Sequence, residues 1–159
     1  MKNNIFNNID VIELTKKMIS FDTYAAEGKT EILNYIKDVL SMETSAEVIL
    51  YNENKENPYL IAHLKTDKPE FTLVLEGHLD VVSPEGMIVA PFNAQENGDV
   101  LMGRGAADMK SGCAAMMAAF TAAAKSPERN GDVYLVYTTD EEYASAEILE
   151  IMEKRLIPN

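Results

Sequence analysis

The chain has 159 residues, with 14 Lys and Arg against 26 Asp and Glu, so its formal net charge is −12. That length corresponds to one domain with room for a substantial core, and an apolar content of 47% is ordinary for a globular protein. The negative charge repels phosphate backbones and anionic lipids, so it disfavours nucleic acids and membrane surfaces as partners. Excess carboxylate instead suits cations, including divalent metal ions.

The sequence shows little that points to secretion, membrane insertion or disulfide formation. The first eight residues contain no apolar stretch of the signal-peptide type, and the longest apolar run, residues 113–120, is too short to span a bilayer. The single cysteine, Cys113, cannot form an internal disulfide, which fits a reducing compartment. We therefore expect a cytoplasmic protein.

Two amphipathic helices are predicted first. Asp10 is placed to act as an N-cap, with Glu13 three residues later at the capping-box position. Apolar residues then recur with helical spacing at Val11, Leu14, Met18 and Phe21. After a turn around Gly28, a second apolar face comprises Ile32, Tyr35, Ile36, Val39 and Leu40.

Alternating strands and helices follow. Strands are predicted at residues 47–51, 59–64, 71–75, 99–102 and 132–138. Helices are predicted from about residue 109 to 125 and, after residues 140–142, up to about residue 155. The segment 71–75 is almost wholly apolar, which predicts a strand covered on both sides. The pattern indicates an α/β sandwich around a parallel or mixed sheet in one domain spanning residues 1–159.

The first of three polar clusters, His78-Leu79-Asp80, follows the strand at 71–75. Residues i and i+2 of an extended segment point to the same side, so Asp80 is placed to hold one imidazole nitrogen while the other binds a metal ion. The alternative interpretation is a surface histidine near a turn.

The second cluster, residues 103–112, reads GRGAADMKSG. A dinucleotide-binding loop is disfavoured because Asp108 occupies the third glycine position of that motif, and a P-loop lacks its Gly-Lys-Ser/Thr. A nucleotide-binding α/β domain therefore remains only a weak alternative. Another interpretation is that Asp108 caps the following helix.

The third cluster is Asp140-Glu141-Glu142, at the end of the strand 132–138. Adjacent carboxylates repel one another, and a bound cation would relieve that repulsion. Acidic residues in the first turn of a helix are the alternative. The three clusters together supply an imidazole, a lone aspartate and a glutamate pair, which predicts a carboxylate-rich metallohydrolase site.

These segments resemble the M20 family of zinc metallopeptidases, which includes acetylornithine deacetylase, succinyl-diaminopimelate desuccinylase, aminoacylase-1 and carboxypeptidase G2. The resemblance lies in residues 76–82, 91–92, 98–99, 103–112 and 138–142, in the family's order. It implies the three-layer α/β/α catalytic domain of the zinc-peptidase type, with a mixed sheet.

The resemblance also implies roles for individual residues. His78 and Glu142 are implied as ligands of two different zinc ions, Asp108 as the carboxylate bridging both, and Asp80 as the residue that orients His78. Glu141 is implied as the general base. The implied reaction is hydrolysis of the amide bond in N-acyl amino acids or small peptides, with cobalt or manganese able to replace zinc.

The chain departs from the family in three ways. An aromatic residue that is common before the Pro91-Phe92 pair is absent. The glycine-rich stretch after the Glu-Glu pair is replaced by residues 143–146, YASA. The family domain also continues with another acidic ligand, a lid or dimerisation domain and a late histidine. We therefore expect a domain truncated at its C-terminal side, with an unpaired sheet edge and exposed apolar surface.

Three further expectations follow from that truncation. A C-terminal segment or a homodimer is the expected partner in the full-length protein. His63 does not replace the late histidine, because it is predicted to lie on a solvated strand face. A non-catalytic remnant, or a weak metal-binding module of the same fold, is the alternative function.

Overall fold

The computed structural model describes residues 9–158, so the N-terminal octapeptide, and the expectation that it carries no signal sequence, lie outside the described residues. In chain order the elements are α1 (Val11–Ile19), α2 (Ala26–Glu43), β1 (Glu47–Tyr51), β2 (Tyr59–Leu64), β3 (Thr72–His78), β4 (Gln95–Asn97), β5 (Val100–Met102), an irregular helical turn (Ala106–Lys110), α3 (Ser111–Ala124), β6 (Asp132–Thr138) and α4 (Ala146–Glu153).

The main sheet has four strands in the order β1-β2-β6-β3. The β1–β2 and β2–β6 pairs are antiparallel, whereas β3 and β6 run parallel, with His78 opposite Thr138. Strands β4 and β5 form a separate antiparallel hairpin. The sheet is therefore mixed, as predicted from the sequence.

Side chains on the two faces of the sheet form two apolar clusters, because successive residues of a strand point to opposite faces. On β2, Leu60 and Ala62 join the cluster with α1, α2 and α3, whereas Tyr59 and Ile61 join the cluster with Ile151 of α4. Helices thus cover both faces, and the predicted three-layer α/β/α architecture is confirmed.

The start of α1 follows the sequence prediction. The Asp10 carboxylate accepts hydrogen bonds from the backbone N–H groups of Ile12 (2.9 Å) and Glu13 (3.2 Å). The side chain of Glu13 pairs with Lys16 at 2.6 Å instead of completing a capping box. Phe21 lies beyond the end of α1, although it packs against the same core.

Strand β3 differs from its prediction. Within residues 9–158 it borders only β6, and Phe71, Leu73 and Val74 are 51%, 45% and 41% exposed. The prediction that both sides are covered is wrong for this part of the chain, because an apolar run does not specify which segment covers it. The unpaired edge and exposed apolar surface agree with the expectation for a truncated sheet.

Among the helices of residues 9–158, none combines the length and the apolar character that a membrane crossing requires.

Candidate metal centre

Parallel pairing of β3 with β6 brings two of the three polar clusters to one edge of the sheet. Since His78 lies opposite Thr138, the segments that follow both strands leave the sheet side by side. In open α/β sheets this carboxyl edge is the usual position of ligand sites. The site therefore begins where the sequence places its histidine and its glutamate pair.

The two nitrogens of the His78 imidazole face different groups. Nδ1 lies 3.1 Å from the backbone oxygen and 3.5 Å from the Oδ1 of Asp80. Nε2 lies 3.1 Å from the Oδ1 of Asp108 and 3.7 Å from the Oε2 of Glu141. The ring is therefore held on one side by Asp80 and presents its other nitrogen to the acidic cluster.

A group able to hold a metal ion is formed by His78, Asp108 and Glu142. Each offers one ligand atom, and these atoms all lie within 4.8 Å of one another. One imidazole and two carboxylates are a donor set that suits zinc and related divalent ions. The side chains of Asp108 and Glu141 are 78% and 54% exposed, so the cluster opens to solvent. The residues present fit a divalent metal ion.

Asp80 connects the two strand ends. It is fully buried, and its carboxylate accepts hydrogen bonds from the backbone N–H groups of Glu141 (3.2 Å) and Glu142 (3.0 Å). Burial raises the pKa of Asp80, but the hydrogen bonds from His78, Glu142 and Glu141 outweigh it and lower that pKa below the usual value. The contact with His78 was expected from the sequence, whereas those with the glutamate amides were not.

Burial and neighbouring charges shift the pKa values of the candidate ligands His78 and Glu142. The hydrogen bond to Asp80 raises the pKa of His78 to about 9, against the opposite effect of burial. Burial is also the main cause that raises the pKa of Glu142, with further contributions from Asp108, Asp80 and Glu141. The site thus concentrates negative charge that a cation would neutralise.

A cleft of about 220 Å³ adjoins this cluster and is lined by Val81, Val82, Asp108, Glu142 and residues 103–107. Gly105 has φ of +80°, and a Cβ there would lie 2.7 Å from Val81 Cγ1, so the turn requires glycine. Asp108 has extended backbone angles and does not cap α3, whose N-cap is Lys110. The capping interpretation of Asp108 is wrong, and its carboxylate faces His78.

The sequence matches a known protein family. Residues 74–157 match the sequence profile of Peptidase family M20/M25/M40, which is more than half of the chain. The chain belongs to this family.

Among the relatives of this M20 chain, a succinyl-diaminopimelate desuccinylase from Wolbachia pipientis wMel is 33% identical over 156 residues. The match covers 92% of this chain and 38% of that enzyme. Another succinyl-diaminopimelate desuccinylase, from Erythrobacter litoralis, is 42% identical over 88 residues, covering 55% of this chain and 22% of the relative. The M20 chain therefore spans about two fifths of the first relative's length.

Solved structures share the fold. Human carnosine dipeptidase 1 superposes with a TM-score of 0.72 at 21% identity, over 94% of this chain and 37% of the dipeptidase. An M20 family metallo-carboxypeptidase from Sulfolobus solfataricus gives a TM-score of 0.75 at 22% identity, over 91% and 35%. The architecture of the M20 chain is thus that of a part of these larger proteins.

Two charged residues of the M20 chain were missed by sequence reasoning. Lys110 is fully buried, its Nζ donates to the backbone oxygen of Phe21 at 2.9 Å, and burial lowers its pKa to about 8. Glu147 is 2% exposed and contacts Thr139. Nothing in the local pattern distinguishes either side chain from an ordinary exposed one.

The other histidine is engaged elsewhere in the M20 fold. His63 Nε2 lies 2.8 Å from Asp132 Oδ2, and the ring stacks on Tyr134 with centroids 4.0 Å apart. Its side chain is only 17% exposed, so the prediction of a solvated face is wrong in degree. Its position on β2 beside Asp132 agrees with its rejection as a ligand.

Proposed function

We propose that residues 1–159 are the N-terminal part of the catalytic domain of a metal-dependent amide hydrolase. The observation that carries this proposal is the convergence of His78, Asp108 and Glu142 to within 4.8 Å, with Glu141 Oε2 3.7 Å from the same imidazole. Membership of the M20 family supports the reaction class. The proposed substrates are N-acyl amino acids or small peptides, a class that includes those named by the desuccinylase and dipeptidase relatives.

The proposed ligands divide between two metal ions. His78 would hold one ion through Nε2, Glu142 would hold the other, and Asp108 would be shared by both. Zinc is the proposed metal because imidazole and carboxylate ligands suit it, and cobalt or manganese can occupy the same donors. Bound there, the ions supply a Lewis acid that lowers the pKa of water and polarises a scissile carbonyl.

The remaining residues handle the proton and the geometry. Glu141, whose carboxylate is 54% exposed at the cluster, takes a proton from water and returns it to the leaving amine. Asp80 orients the imidazole from the Nδ1 side and fixes the backbone of both glutamates. The described residues would then offer each ion two ligands, His78 or Glu142 together with Asp108.

The remaining ligands are proposed to come from outside the described residues. A C-terminal segment of a longer polypeptide or a second copy in a homodimer would supply them. The proposed compartment is the cytoplasm, supported by the single buried thiol of Cys113. Measuring the intact mass of the native polypeptide tests whether the ligands come from a C-terminal segment. A longer polypeptide of that kind predicts a mass well above 17.6 kDa.

The function is tested by assaying the native protein on N-succinyl and N-acetyl amino acids. We expect hydrolysis that Glu141→Gln abolishes, because the amide cannot accept the proton from water. Glu153→Gln is the matched control, since Glu153 is exposed on α4. Zinc binding without hydrolysis, with no effect of Glu141→Gln, would instead favour the non-catalytic remnant.

A further inference from the structure

Glu147, in the first turn of α4, accepts a hydrogen bond from a residue eight positions earlier in the sequence. Its side chain is 2% exposed, and its two carboxylate oxygens lie 3.2 and 3.3 Å from the backbone nitrogen of Thr139, which donates to them. Thr139 is the residue directly after β6. The carboxylate therefore holds the backbone at the point where the chain leaves the sheet toward Glu141.

Thr139 is also fixed through its side chain. Its Oγ1 donates to the backbone oxygen of Pro58 at 2.7 Å and lies 3.1 Å from Glu147 Oε1. Thr139 is fully buried, so its backbone N–H depends on Glu147 for a partner in place of water. Removing that carboxylate would leave a buried donor unpaired, which favours movement of the segment.

The same short segment is held at its other end by Asp80. That carboxylate binds the N–H groups of Glu141 and Glu142, as described above. Between the two holds, Asp140 Oδ2 accepts the N–H of Ala146 at 3.2 Å, which ties the segment to the start of α4. Residues 139–142 are thus clamped by Glu147 at the entry and by Asp80 at the exit.

We propose that Glu147 is a positioning residue that sets the placement of Glu141 and Glu142 for metal binding and proton transfer. This inference rests on the proposed function, because it assigns Glu147 a role toward the same metal centre. Glu147 does not reach the ligand atoms itself and acts through the backbone of Thr139. Carboxylates that orient metal ligands are often needed for tight binding.

A purely local role for Glu147 explains less. An acidic side chain in a first turn stabilises its own helix through the dipole. Ser145, the N-cap of α4, has φ of +51° and makes no capping hydrogen bond from its side chain. An acidic residue in the first turn could therefore stabilise this helix end. However, the Glu147 carboxylate turns away to a residue eight positions earlier and is buried there.

The test measures zinc affinity of the native protein by competition with a chromophoric chelator. Glu147→Ala is expected to weaken affinity on the order of tenfold. Glu147→Gln keeps an acceptor oxygen for Thr139 and is expected to restore most of it. Ile151→Ala is the matched control, because Ile151 is buried on the same helix but packs in the cluster around Ile61.

Each outcome decides the inference. Equal affinity in Glu147→Ala and the wild type overturns it, as does an equal loss in Ile151→Ala at the same loss of stability. If Glu147→Ala does not fold, Glu147→Asp shortens the reach to Thr139 and is expected to weaken zinc binding, and unchanged binding overturns the inference. Glu142→Ala separates the two proposals, because unchanged affinity there overturns the metal site itself.

Discussion

The carboxylate of Asp80 accepts a hydrogen bond from the backbone N–H of Glu142 at 3.0 Å. Asp80 follows β3, whereas Glu142 follows the neighbouring strand β6. The Oδ1 of Asp80 also lies 3.5 Å from the Nδ1 of His78. One buried side chain therefore couples a candidate ligand on β3 to a candidate ligand after β6.

Replacing Asp80 should weaken zinc binding by more than the loss of one charge explains. We expect Asp80→Ala to weaken zinc affinity by about 10- to 100-fold, the range found for partners of metal ligands. Asp80→Asn should lose affinity too, since its amide cannot accept both glutamate N–H groups. Asp99→Asn, at an exposed position, controls for charge. Chelator competition with equal losses in all three variants would contradict this account.

Gly105→Ala should destabilise the turn beside the cleft for two reasons. A left-handed φ costs an alanine roughly 1–2 kcal/mol, and the new Cβ would lie 2.7 Å from Val81 Cγ1. Gly86→Ala is the matched control, because Gly86 also has φ of +80° but nothing within 4 Å. Urea unfolding should give a larger loss for Gly105→Ala, by about 1–3 kcal/mol. Equal losses would show that Val81 does not constrain the turn.

Glu147 should make stability depend on pH. Burial, opposed in part by the Thr139 hydrogen bonds and reinforced by Asp140 and Asp80, raises its pKa from 4.5 to about 7. The folded state thus binds this proton more tightly than the unfolded chain does, and the stabilisation present below pH 4.5 is lost as pH rises through about 7.

The comparison with Glu147→Gln isolates this contribution from other titrating groups, which include Glu142, whose pKa is also raised by burial. The free energy of unfolding of the wild type should fall relative to the variant by up to about 3 kcal/mol between these pH values. Urea titrations at several pH values measure it. A difference that does not change with pH would refute the assignment.

Cys113 should not react with thiol reagents in the folded protein. It is fully buried, burial raises the pKa of its thiol, and Sγ donates to the backbone oxygen of His78 at 3.2 Å. Because it is the only cysteine in the sequence, labelling reports this position alone. We expect labelling only as fast as the protein opens, with full reaction in denaturant. Rapid native labelling would place the thiol at the surface.

Several elements were predictable because their periodicity is local. The bounds of β1 (Glu47–Tyr51), β2 (Tyr59–Leu64) and β6 (Asp132–Thr138) agree with the sequence prediction residue for residue. Strand β4 was missed since Gln-Glu-Asn has no apolar alternation, and its pairing with β5 depends on the turn between them. Helix α3 begins at Ser111, two residues later than predicted.

The proximity of the candidate ligands was also predictable, because strand ends of parallel neighbours meet at one edge. The buried charged side chains that hold the backbone near the site were not predictable. Lys110 binds the backbone of Phe21, which is 89 residues away in sequence, and Glu147 binds Thr139 from the next helix. Such partners depend on tertiary packing, so no local pattern of charge or spacing reveals them.

The most direct test of the proposed metal centre is the position of zinc in crystals of the native protein, found from anomalous scattering at the zinc absorption edge. The account predicts a peak about 2.0–2.1 Å from His78 Nε2, with carboxylate oxygens of Asp108 in contact. A second peak is expected beside Glu142. Zinc at other residues, or no peak near His78 in zinc-saturated crystals, would contradict the account.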